Sequence, residues 1–202
     1  VPDRAIDLGV LESAAIGMAA GISASGMIPC VYTWSAFLVE RAYEQLKLDF
    51  GYQKLAGNFF GAGASYDLME FGNSHYCPSD VNILKQIPNM QIVVPGNKEE
   101  FETLFNQSYA NDLPTYYRLS EQAHQISSTE ICFGKASVIK RGQQLTIVVV
   151  GYLLGNVMKA VSDLDVTVIY YSTVVPFDRE TLYQNHQGNK VLVCEPYNKS
   201  GV

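Results

Sequence analysis

The sequence has four cysteines, Cys30, Cys77, Cys132 and Cys194, but no Cys-x-x-Cys pair and no histidine at metal-ligand spacing from any of them. Cysteines scattered in this way exclude a zinc ribbon and a disulfide framework, and they read as reduced, mostly structural thiols. Cys77 stands apart because it follows His75 by two positions in a stretch of turn-forming residues. Basic clusters are missing as well: fourteen Lys and Arg are dispersed among twenty Asp and Glu, for a net charge of −6. That balance excludes the electrostatic footprint of a nucleic-acid binder. No apolar run is long enough to span a bilayer, and the opening residues lack the charged and apolar regions of a signal peptide. The expectation is a soluble, cytoplasmic protein without a membrane partner, although so abrupt an opening leaves room for a lost leader. Internal repeats and low-complexity tracts are absent, and the sequons Asn106-Gln107-Ser108 and Asn198-Lys199-Ser200 are read as chance.

What is present is the composition of a globular protein with a proper core, 48% hydrophobic over 202 residues. Through the first 120 or so residues strand-like and helix-like runs alternate: AIDLG, a helix from Glu12, CVYT, a helix from Ala36 to Phe50, GNFFG, a short helix from Asp80 to Gln86, QIVVP, a helix from Glu99 to Ala110, and PTYYRL. This alternation predicts an α/β fold whose mostly parallel sheet carries helices on both faces. From Ser120 to Thr129 the chain turns polar and aperiodic, which reads as a linker between a domain at 1–119 and a second at 130–202. The second is a smaller α/β domain built from TIVVVG, a helix over Leu153 to Ser162, DVTVIYY, a helix from Arg179 to Asn185, and KVLVCEP.

Glu12 is the residue that needs explaining, because it is a lone carboxylate inside the otherwise apolar run LGVLESAAIGMAAG. The ordinary explanation is a helix-start residue that offsets the helix dipole. The other is a ligand group: a strand-to-helix junction at the carboxyl end of a sheet is where open α/β folds place their ligands. Three blocks favour the second explanation, DLGVLESAAIGMAAG, PCVYTWSAFLVERAYEQLKLD and GNSHYCPSDVNILKQIPNMQIVVPGN. In order and spacing they resemble the pyrimidine-binding domain of transketolases and deoxyxylulose phosphate synthases, and the segment after the linker resembles the transketolase C-terminal domain. Against that family both ends are expected to be incomplete.

The resemblance implies thiamine diphosphate as cofactor. A carboxyl group bonded to the pyrimidine ring nitrogen helps the ring's amino group accept the proton lost on activation, and Glu12 matches the family's carboxylate. Sharing that proton calls for an apolar site around Glu12. Trp34 and Phe37 match aromatics that contact the pyrimidine, and Tyr32 adds to a flat wall, or to a core, at the same strand end. His75 matches the histidine that faces substrate oxygens, a place where imidazole can donate to a developing alkoxide. His124 in the linker and His186 match nothing and are expected to be solvated. The implied reaction is transfer of a two-carbon ketol unit from a ketose to an aldehyde. Nearby alternatives are a deoxyxylulose phosphate synthase or the decarboxylating component of a 2-oxoacid dehydrogenase. Outside catalysis, the alternative is an assembly or regulatory paralogue.

Departures from the pattern carry as much information. Gly63, Phe71 and Glu121 stand where common transketolases place groups that hold phosphate or read sugar hydroxyls, while Arg118 remains in a strand and reads as structural. The family's GDG-and-Asn site for diphosphate and magnesium (or calcium) has no counterpart, since GDG does not occur. The resemblance therefore implies a partner half that holds the metal, as an N-terminal subunit or domain, and assembly as a heterotetramer or as a dimer of two-domain halves.

Overall fold

A computed structural model describes residues 2–127 and 130–198. Ser128 and Thr129 of the expected linker, and part of the second sequon, lie outside the described residues. Helix α1 (Glu12–Ala24) opens the regular structure and leads into strand β1 (Cys30–Trp34). The helix expected from Ala36 is present but underwound in places: wide turns with i→i+5 hydrogen bonds at Phe37–Arg41 and Leu46–Tyr52 flank the short α2 (Tyr43–Gln45). Then come β2 (Gly57–Ala62), α3 (Asp80–Leu84), β3 (Gln91–Val93), α4 (Lys98–Ser108) and β4 (Pro114–Arg118). The C-terminal half adds β5 (Ser137–Lys140), β6 (Thr146–Val150), α5 (Leu154–Ala160), β7 (Thr167–Tyr171), β8 (Thr173–Val175), α6 (Arg179–Asn185) and β9 (Val191–Cys194).

Two sheets result. The first has the order β1-β2-β4-β3-β8, parallel except for β8, which runs antiparallel to β3. The second has the order β5-β7-β6-β9, with only β5 antiparallel. This is the α/β architecture the alternation implies, with two strands, β5 and β8, that periodicity does not reveal. Strand β8 comes from the C-terminal half yet completes the first sheet, and a single apolar cluster runs from Ile16, Phe50 and Ile92 to Val150, Tyr171 and Val174.

Two expectations are corrected. AIDLG forms no strand: Ala5, Ile6 and Asp7 are exposed, as are Val10 and Leu11 just after them. A run of apolar residues becomes a strand only where another strand offers hydrogen-bond partners, and β1, the edge of its sheet, pairs with β2 alone. His124 is not solvated but 3% exposed. Its Nε2 lies 3.2 Å from Glu100 Oε1, its ring meets the edge of Tyr170, and its backbone N–H donates to Gly96 O at 3.0 Å. Glu100 also accepts from the Tyr170 hydroxyl and from Gly96 N–H, so the linker is fastened between α4 and β7. His186 is exposed, as expected.

Candidate active site

Glu12 is the first residue of α1, following Leu11, whose side chain makes no capping bond. Its carboxylate is 7% exposed and receives a hydrogen bond from Arg41 Nη1 at 2.8 Å, while Arg41 itself is 45% exposed. The surroundings are thus not the purely apolar enclosure that the sequence suggests, because a guanidinium lies against the carboxylate. The wide turn Phe37–Arg41 accounts for this by bringing its last residue back to the start of α1, where Ser13 Oγ donates to Arg41 O at 3.2 Å. Wide turns of this kind recur at functional positions in helices.

The same guanidinium sits 4.1 Å above the centre of the Phe37 ring. Phe37 also neighbours His75, ring to ring at 5.0 Å with the planes 66° apart, and Phe71 lies 5.0 Å from His75 on a tilted plane. His75 Nδ1 is 3.0 Å from Ser74 Oγ, and its backbone N–H donates to Gly72 O. Glu12, Arg41, Phe37, His75 and Phe71 therefore form one unbroken series of contacts at the edge of the first sheet. Tyr32 and Trp34 are placed differently. Both point to one face of β1, beside Phe60 and Ala62 of β2, whereas Val31 faces the core that α1 covers. They are 69% and 39% exposed. A strand alternates its faces with period two, so Tyr32 and Trp34 share one face of β1, while Phe37 lies beyond the strand in the Phe37–Arg41 turn.

Four further residues acquire definite surroundings. Arg118 is fully buried, with Nε donating to Asp80 Oδ2 at 2.8 Å and the guanidinium 5.2 Å from the Tyr197 ring. Burial, the largest single influence, disfavours its charge, but the Asp80 carboxylate together with Tyr116 and Tyr197 outweighs it and holds the guanidinium above its ordinary value. It ties α3 and β4 to the C-terminal segment through Pro196 O at 3.3 Å, and has no open face for a ligand. Cys77 is buried beside Asp80 and Glu40; burial first, then those two charges, push its thiol far above the ordinary range, which leaves it unreactive. Glu121 is exposed, its backbone N–H held by Asp67 Oδ2 at 3.0 Å. Gly63 adopts φ +69, and a Cβ there would come within 2.6 Å of Leu68. Sequence reasoning missed Arg41 altogether, although the clue was present in a cation placed within one helical turn of Phe37.

The sequence and the fold are similar to those of known proteins. Residues 1–126 match the family model for the transketolase pyrimidine-binding domain. An uncharacterized 33.6 kDa protein of the fasciation locus of Rhodococcoides fascians is 39% identical over 97% of this chain and 64% of its own length. The 6-deoxy-6-sulfo-D-fructose transketolase subunit SqwH of Clostridium sp. (strain MSTE9) is 33% identical over 92% of this chain and 60% of its own. The chain thus spans under two thirds of the length of these two relatives. A solved structure described as a split gene transketolase, inactive beta4 tetramer, superposes with a TM-score of 0.86 at 27% identity, over 99% of this chain and 68% of that one. With well over half of its residues matched by the family model, the chain belongs to the transketolase pyrimidine-binding family.

Proposed function

We propose that this chain supplies the pyrimidine side of a thiamine diphosphate-dependent, transketolase-like transferase that moves a two-carbon ketol unit from a ketose to an aldehyde. The observation that carries the reading is the buried Glu12 carboxylate at the head of α1, joined through Arg41 and Phe37 to His75. These residues fit the pyrimidine end of the cofactor: a carboxylate shielded from water for the ring nitrogen, and an aromatic face for the ring. When bound, the cofactor would supply the nucleophilic and electron-accepting carbon that cleavage beside a ketose carbonyl requires. Glu12 holds and shares a proton at its carboxylate, Phe37 keeps water from that proton, and His75 donates to oxygen at the reacting carbon. Trp34 and Tyr32, on the open face of β1, are proposed as groups that meet the cofactor or the partner on assembly.

The diphosphate and its magnesium, for which the sequence has no GDG, are assigned to a partner half, in another chain or another part of the same polypeptide. The relative named as a transketolase subunit, SqwH, supports a divided enzyme, as does the solved split gene transketolase, an inactive beta4 tetramer. We place the boundary between the two domains in 120–129, and the assembled enzyme in the cytoplasm.

For substrate, Arg118 is sequestered by Asp80, and the positions that match the family's phosphate-holding groups carry Gly63 and the anion Glu121 in place of cations. Charge-assisted bonds to phosphate contribute roughly 1.5–3 kcal/mol each, so the reading expects a donor or acceptor without a terminal phosphate at that side. Turnover of xylulose 5-phosphate against unphosphorylated ketoses by the assembled enzyme checks it, and a clear preference for the phosphate ester would count against it. The activity itself is tested by titrating the chain with thiamine diphosphate and magnesium, with and without the partner half. Tight binding is expected only in the pair, and failure of the pair to bind would overturn the proposal.

A further inference from the structure

Arg41 does to Glu12 and Phe37 what an aminopyrimidine ring would do. Its guanidinium is planar, donates an N–H to the Glu12 carboxylate at 2.8 Å, and lies over the Phe37 ring at 4.1 Å. A flat ring that bonds the same carboxylate while stacking on the same aromatic face needs that same space. Resting on the pyrimidine-side reading above, we infer that Arg41 is an internal occupant of the pyrimidine site, which the cofactor must displace in order to bind.

The asymmetry of the pair supports displacement. Glu12 is 7% exposed at the head of a helix, and so is the fixed partner, whereas Arg41 is 45% exposed and has open solvent into which its long side chain can swing. The backbone of Arg41 stays anchored when the side chain leaves, because Ser13 Oγ bonds its carbonyl and not its guanidinium. Until that moment the guanidinium keeps Glu12 from being a buried, unpartnered charge, a state that costs free energy. Cofactor affinity is then reduced by the fraction of molecules in which Arg41 holds the site. Holding that contact rests on one charge-assisted hydrogen bond and one cation–π contact, modest interactions that a tightly bound ligand overcomes.

The test uses the chain assembled with its diphosphate-binding half and compares the parent with Arg41→Met, Arg41→Lys and Glu12→Gln. Affinity for thiamine diphosphate in magnesium is measured by calorimetry and by the fluorescence of the single tryptophan, Trp34. Arg41→Met keeps an apolar stem and removes the plane and the charge. It is expected to bind about tenfold more tightly, equivalent to about 1.4 kcal/mol. The rise in Tm on adding cofactor should also be larger than in the parent. Arg41→Lys, which can pair with Glu12 but cannot lie flat on Phe37, should fall between the two. Equal or weaker binding by a folded Arg41→Met, with Glu12→Gln binding poorly, would make Arg41 a permanent clamp on Glu12 and overturn the inference while leaving the pyrimidine-side reading intact. If Glu12→Gln binds as the parent does, or if no form binds, the reading itself falls and the inference falls with it.

Discussion

At the scale of single residues, two buried carboxylates have opposite fates. Glu12 is held by one half-exposed cation, whereas Asp80 is enclosed with Arg118 and also accepts from the Tyr116 hydroxyl at 3.0 Å. Glu12→Gln should leave the fold intact, with an unchanged far-UV spectrum and a melting temperature close to the parent, yet lower turnover of the assembled enzyme by several orders of magnitude, since an amide cannot share a proton. Retention of half the turnover would reduce Glu12 to a helix-start residue. His75→Ala should lose roughly 10²-fold in kcat, the range of one proton-transfer group, and a loss confined to melting temperature would argue against that role. Arg118→Met should instead act on stability, costing about 3–5 kcal/mol in urea titrations because Asp80 is left buried and uncompensated. The double variant Arg118→Met/Asp80→Leu should recover most of that loss, and a double variant as unstable as the single one would contradict the pairing. From sequence, Glu12 was legible because a charge in an apolar run is conspicuous. The Arg118–Asp80 pair was not, because the two lie in different elements and only the packing of α3 on β4 brings them together.

At the scale of elements, the strands and helices that alternate in hydrophobicity were readable, and those that depend on neighbours were not. Strand β8 is three residues long and owes its existence to β3. AIDLG has strand-like residues and no described strand to pair with. His124 sits in a polar stretch that reads as solvent-facing, yet Glu100 and Tyr170 enclose it. Helix α6, expected from Arg179, is by contrast present, and it is capped by Asp178, whose carboxylate accepts from Thr181 N–H at 3.1 Å, from the Thr181 hydroxyl at 2.7 Å and from Ala136 N–H at 3.1 Å. Burial works to raise its pKa, but these hydrogen bonds outweigh it and hold the carboxyl below its ordinary value. A group whose folded value is depressed adds stability above its unfolded value, near 3.9, and that contribution disappears as the pH falls through the lower folded value. Asp178→Ala should therefore cost about 1 kcal/mol at neutral pH, the usual worth of such a cap. The deficit against the parent should shrink in acid melts below pH 4 or so. A deficit that stays constant to the lowest pH at which the protein folds would mean that the charge plays no part.

At the scale of the whole molecule, the surface near the proposed site is incompletely covered. Ile6, Val10 and Leu11 before α1, Met18 on α1, and Met27 and Ile28 after it are all exposed. The outward face of α1 also carries Ala14, Gly17 and Gly21, and a Cβ at Gly21 would meet nothing within 4 Å. Among the described residues, this Ala- and Gly-rich helix is thus packed on one side only. Exposed apolar surface of this extent beside a functional site is the ordinary mark of an interface, and small residues allow another backbone to approach closely. If the partner half docks here, substitutions on this face should separate assembly from folding. Val10→Lys and Met18→Lys act at exposed or partly exposed positions and remove little packing within the chain, so each should leave the stability of the isolated chain within about 1 kcal/mol of the parent. In the mixture with the partner half, each should weaken association at least tenfold by sedimentation, and cofactor binding should fall in parallel, because a buried lysine without a counter-charge is costly at the centre of an interface. Association as strong as the parent's in both variants would place the partner on another face, and the exposed sides of Tyr32 and Trp34 on β1 would be the next to substitute.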